Sequence, residues 1–141
     1  MFKHLLFILC ISACVMDSRT AIRQAVGAIV VSNPTGRAIC QRNNENMADV
    51  VIAGSYAGSA DCVEARAVVR TGYGGLDTNW APIATTATTG EFSGMLPVSG
   101  GWYDIEIRTL SGGHVIETTS IPRVGVGEVF VAAGQSNSTN S

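Results

Sequence analysis

Along most of the chain apolar residues recur at every second position, and turn formers interrupt them about every eight to twelve residues. A period of two belongs to a strand with one face buried and one in water, and breaks at that spacing belong to an all-β domain. The runs that satisfy the pattern are 26–31, 37–42, 48–53, 62–70, 92–98, 102–110 and 114–121. The clearest is 102–110, where Tyr103, Ile105 and Ile107 share one face and Asp104, Glu106 and Arg108 the other. Val63, Ala65, Ala67 and Val69 alternate with Glu64, Arg66 and Val68 in the same way. Ser111-Gly112-Gly113 supplies the positive-φ positions of a tight hairpin between the last two runs. No helix of three turns emerges. The small, polar tract 84–89 reads as a long loop or a poorly paired edge.

Seven such strands suffice for two sheets packed face to face, so the pattern predicts an antiparallel β-sandwich. Gly-Gly-Trp-Tyr-x-Ile-x-Ile at 100–107 resembles the penultimate strand of immunoglobulin-like and fibronectin-type sandwiches, a likeness of fold alone. The amino terminus departs from this pattern. Met1-Phe2-Lys3-His4 is a short basic start to the apolar run 5–11. That run is too short for a bilayer, which takes about 20 apolar residues, and has the length of a signal-peptide core. Ile11-Ser12-Ala13-Cys14 resembles the bacterial lipobox, which implies that Cys14 is lipidated and becomes the mature amino terminus. The plainer alternative is ordinary cleavage nearby, with Cys14 incidental. Either way residues 1–21 read as an address. The expected location is outside the cytoplasm, periplasmic, secreted or on the cell surface, with membrane contact only through a lipid anchor.

The carboxyl end departs as well. Pro122 is expected to end the last sandwich strand, Gly125 and Gly127 to mark a linker, and the non-alternating run 128–133 to open the parallel sheet of a new α/β domain. Gly134-Gln135-Ser136-Asn137 follows it directly, and a strand that runs into a Gly-containing sharp turn is how α/β hydrolytic folds expose a nucleophilic serine. The block from Val124 to Asn137 resembles the first block of the sialate O-acetylesterase-like carbohydrate esterases, a branch of the SGNH hydrolases that reads Gly-Gln-Ser-Asn at this place. In that family a β-sandwich commonly precedes the catalytic domain. The resemblance implies that Ser136 attacks an acetyl ester of a sugar and that its backbone N–H lines the oxyanion hole. It implies further that Gly134 permits the turn, and that Gln135 and Asn137 hold the loop by hydrogen bonds. The substrate would be an O-acetylated carbohydrate, and no cofactor is needed.

The resulting division is a leader at 1–21, a sandwich at 22–123 and the start of a truncated hydrolase domain at 124–141. The Asp-x-x-His block that supplies the family's general base does not occur in the 141 residues. His114 lies at a hairpin of the other domain with no carboxylate spaced to orient it, so the fragment is expected to be inactive. The sequon Asn137-Ser138-Thr139 falls in the nucleophile turn and reads as coincidence. The alternative from another class is a non-catalytic surface sandwich that binds carbohydrate or protein, with Tyr73 and Trp80 as contact aromatics. For Trp80 the plainer role is to plug one end of the sandwich.

Composition narrows the field further. The chain is 46% hydrophobic and 14% charged, with 9 Lys+Arg against 11 Asp+Glu for a net charge of -2. The apolar content excludes disorder, and the balanced charge without a basic cluster excludes a nucleic-acid footprint. Cys10 and Cys14 belong to the leader. Cys40 and Cys62 could then pair in an oxidising compartment, or each could be a small buried hydrophobe in a strand. With His4 in the leader and His114 alone, no metal site is expected. Gly72-Tyr73-Gly74-Gly75 is no phosphate loop, because no Lys-Ser/Thr or helix follows it.

Overall fold

The alternation at 102–110 becomes a strand with Tyr103, Ile105 and Ile107 wholly buried and the charged residues between them turned outward. The same logic builds the rest. The computed structural model describes residues 29–85 and 90–131, whose regular structure is all β-strand. In chain order the strands are β1 Val30–Asn33, β2 Ile39–Gln41, β3 Met47–Ser55, β4 Cys62–Val69, β5 Ala81–Thr85, β6 Glu91–Ser99, β7 Gly101–Ser111 and β8 His114–Gly127. One sheet has the order β1-β3-β6 and the other β2-β8-β7-β4-β5. Every neighbouring pair is antiparallel except β2 and β8, which run parallel.

The two sheets share one core. Val50, Ile52, Leu96 and Val98 from the smaller sheet belong to the same buried cluster as Val63, Ala65, Ala67, Ile105, Ile107 and Val124 from the larger. Each Val, Ile or Leu among them contributes about 1.5–3 kcal/mol when fully buried. This is the two-layer arrangement of a sandwich, and it follows from the period of two in the sequence. Where β5 meets β6, Gly94 has the Ile83 carbonyl standing where a Cβ would be, so only glycine lets the sheets close at that edge.

Tyr103 is the largest fully buried side chain. Its hydroxyl donates to the Ser99 carbonyl at 2.8 Å, accepts from the Leu76 N–H at 3.2 Å and lies 2.9 Å from Ser99 Oγ. One phenol thus ties β7 to the end of β6 and to the loop that follows β4. Gly75, at φ 108, leaves room for it, because a side chain there would strike the phenol.

One expectation is corrected. Pro122 does not end the last strand, and 124–127 is not a linker: β8 continues to Gly127, with Val124 and Val126 in the core. Proline lacks the N–H that a ladder uses, but the register shifts so that Asp104 faces both Pro122 and Arg123. Arg123 takes φ 60 and gives its N–H to Asp104 Oδ1 at 3.0 Å; pairing then resumes with Val124 opposite Tyr103. The tract read as a long loop or a poorly paired edge contributes Ala84 and Thr85 to β5, an edge strand whose register with β4 is irregular. Cys40 and Cys62 are free thiols on β2 and β4, with β8 and β7 between them. Three inter-strand spacings of roughly 4.8 Å separate the two strands, far beyond the reach of a disulfide.

Replacing Tyr103 by Phe keeps the ring but strands the Ser99 carbonyl and the Leu76 N–H. It is expected to cost about 1–3 kcal/mol, read as a lower urea midpoint at unchanged slope.

Candidate functional site

The residues singled out for catalysis, Ser136 with Gly134, Gln135 and Asn137, and the lipidation residue Cys14, lie outside the described residues. The approach to the first group is described. Beyond Gly127 the chain leaves the sheet: Glu128 is held by Gln41 Nε2 at 3.0 Å and by Arg42 at 2.9 Å, and the Val129 N–H donates to Gln41 Oε1 at 2.7 Å. The Gln41 hydrogen bond lowers the pKa of Glu128 below the usual carboxylate range, and Arg42 adds to it. Residues 128–131 belong to neither sheet, and Phe130 and Val131 are 86% and 90% exposed.

The two aromatics expected to act together are apart. Trp80 lies just before β5 on the outer face of the larger sheet, with the guanidinium carbons of Arg66 and Arg108 4.7 and 4.1 Å from its ring centroid. Those arginines are bound to Glu106 and Glu64 on the neighbouring strands, each pair at 2.6 Å. The indole is therefore engaged by two cations, and it neither plugs an end of the sandwich nor stands free as a platform.

Tyr73 instead opens, 61% exposed, on a cleft of about 300 Å³ that it lines with Trp102, Arg37, Arg70 and Arg123. Alternation along β7 sends Trp102 outward beside buried Tyr103, and its ring packs over Gly125, 3.3 Å from where a Cβ would stand. Arg70 directly follows β4 and is fixed twice: its N–H donates to the Trp102 carbonyl at 2.8 Å, and its Nη1 meets both Asp104 oxygens at 2.7 and 3.0 Å. Arg123 comes from the β8 bulge. Arg37 comes from the turn before β2, closed by the Ala38 N–H on the Thr35 carbonyl at 3.0 Å. That turn lies against the bulge, since a Cβ on Gly36 would stand 3.4 Å from the Pro122 carbonyl. Both Arg37 and Arg123 hold positive φ, at 70° and 60°, which is uncommon for a residue with a side chain and draws attention to what it positions.

Burial raises the pKa of Asp104, but the Arg123 N–H and the Arg70 guanidinium outweigh that and hold it below the ordinary value of 3.8. The carboxylate thus stays ionised and offsets the charge of Arg70, while Arg37 and Arg123 leave the cleft positive. A larger groove of about 530 Å³ along β1, β3 and β6 is lined by small and apolar residues, with Glu91 its one charged side chain.

The remaining candidates offer no nucleophile chemistry. Burial raises the thiol pKa of Cys40, and burial with Glu64 and Asp61 raises that of Cys62, so both stay protonated. His114 is exposed at the β7–β8 hairpin and forms no ion pair among the described residues. Among the described residues no three His, Cys, Asp or Glu gather as metal ligands, and no helix is long and apolar enough to cross a membrane. The sequence reading missed Arg37, Arg70, Trp102 and Arg123. The one signal was Trp102, a large aromatic on the solvent side of a strict alternation.

Because the folded-state pKa of Asp104 lies below its unfolded value, its carboxylate stabilises the fold above that value. The contribution is lost as pH falls through the lower folded value. Asp104→Asn is expected to lower stability at neutral pH and to flatten the acid limb below about pH 4, measured by urea unfolding across pH. No protein-family model matches the chain, and no curated protein matches it.

Proposed function

We propose that the chain is the amino-terminal part of an exported carbohydrate O-acetylesterase, a serine hydrolase acting on acetyl esters of sugars. The observation that carries this reading is the sequence block from Val124 to Asn137, which begins in the last residues of β8 and ends in Gly-Gln-Ser-Asn. The exposure of Phe130 and Val131 supports it, because the sandwich leaves them uncovered as the opening residues of a second core would be. In this reading the sandwich is immunoglobulin- or fibronectin-like. The hydrogen bond from Tyr103, on the penultimate strand, back to Ser99 matches the tyrosine corner of such folds. The run 5–11 supports export, and Cys14 the lipid anchor.

Ser136 Oγ attacks the acetyl carbonyl, the sugar oxygen departs with a proton, and water releases acetate from the acyl-enzyme. The Ser136 N–H steadies the developing oxyanion, Gly134 allows the turn, and Gln135 and Asn137 brace it. The general base belongs to an Asp-x-x-His block that the 141 residues do not contain, so further chain supplies it. A ligand-binding role for the sandwich is compatible with this chemistry and is favoured by a separate observation, the cleft beside Trp102.

In the full coding product, Ser136→Ala is expected to lower turnover of an O-acetylated sugar by a thousandfold or more, on the order seen when a serine hydrolase loses its nucleophile, with the circular-dichroism spectrum unchanged. The 141-residue chain alone is expected to release no acetate. Acetate release by that chain, or full activity in the Ala variant, would show the reading to be wrong.

A further inference from the structure

We infer that the cleft between the turn before β2 and the Pro122 bulge binds an anionic saccharide, a sugar ring carrying a carboxylate or a sulfate. Three arginines, Arg37, Arg70 and Arg123, line one small cleft with the aromatic residues Tyr73 and Trp102. Guanidinium forks match the geometry of an oxyanion. Aromatic rings accept the apolar C–H face of a sugar, as amphipathic recognition surfaces do. The site is organised in advance. Asp104 fixes Arg70 and, through the Arg123 N–H, the bulge; Gly125 seats the Trp102 ring.

The volume of about 300 Å³ is that of a small-ligand site. A peptide that binds by strand addition needs an open sheet edge, and beside Trp102 the β8 edge at Gly125 to Gly127 is already paired with β2. The net charge of -2 argues against nucleic acid as the anion. None of the five lining residues belongs to the Val124–Asn137 block, so the inference stands apart from the esterase reading.

The test is calorimetric titration of the full chain with trigalacturonate, a sulfated galactotriose, neutral galactotriose, sodium sulfate and a hexaglutamate peptide. At least one anionic trisaccharide is expected to bind, and neutral galactotriose and sodium sulfate to bind at least tenfold more weakly. Which of the two anionic sugars binds tells carboxylate from sulfate. Arg37→Gln and Arg123→Gln alter exposed side chains and are expected to fold normally, to weaken binding severalfold each, and more than tenfold together. Trp102→Phe is expected to weaken the saccharide and not free sulfate. Equal binding of the neutral sugar, of sulfate alone or of hexaglutamate overturns the inference. So does the absence of saccharide binding, or indifference to the two arginine substitutions. Ser136→Ala is expected to leave binding unchanged, so loss of turnover and loss of binding report on the two readings separately.

Discussion

The hydroxyl of Tyr103 is the constraint on which this fold turns. A phenol buried between two sheets must find partners for its O–H or cost the domain more than its ring contributes. Here it finds the carbonyl of Ser99 and the N–H of Leu76. That fixes where β6 stops, how β7 starts and where the loop after β4 lies. Alternation then leaves no choice for its neighbours: with Tyr103 inward, Trp102 and Asp104 face out. Trp102 forms a wall of the cleft and Asp104 organises two of its arginines, so the outer site is a by-product of the inner anchor.

The outer face of the larger sheet holds much of the chain's sparse charge in cross-strand pairs. Arg66 opposes Glu106 and Glu64 opposes Arg108, with the Trp80 indole against both guanidiniums. Single exposed ion pairs contribute about 0–1 kcal/mol each. Their more important effect is on register, since a slip by two residues would set Glu64 opposite Glu106 or Arg66 opposite Arg108, and a slip by one would turn the apolar face to water. The low charged fraction reflects a domain whose loops are built largely from Gly, Ser, Thr and Asn.

The fold was legible wherever a strand had one wet and one dry face. β4 and β7 appear where Val63 to Val69 and Trp102 to Leu110 alternate. β5 was hidden because Ala81, Pro82 and Ala84 carry too little side chain to show a period. The continuation of β8 was hidden because proline reads locally as a stop, whereas the bulge that carries the strand past it is held by Asp104 on another strand. The cleft was illegible for the same reason. Arg37, Arg70 and Arg123 come from distant parts of the chain, and only sheet order brings them together. The nucleophile motif is the reverse case, readable from consecutive residues and lying outside the described ones.

The position of β8 has a consequence for how the molecule is made. It is the last of the described strands in sequence, yet it lies inside the larger sheet, between β7 and the parallel strand β2. A ribosome or a translocation channel releases residues in order, so β2 must wait without its partner until nearly all of the sandwich has emerged. Closing so long a loop is slow, as it is for other β topologies rich in non-local pairs. The sandwich is therefore a product of its whole length, completed at the moment the chain reaches the segment that leads to Ser136.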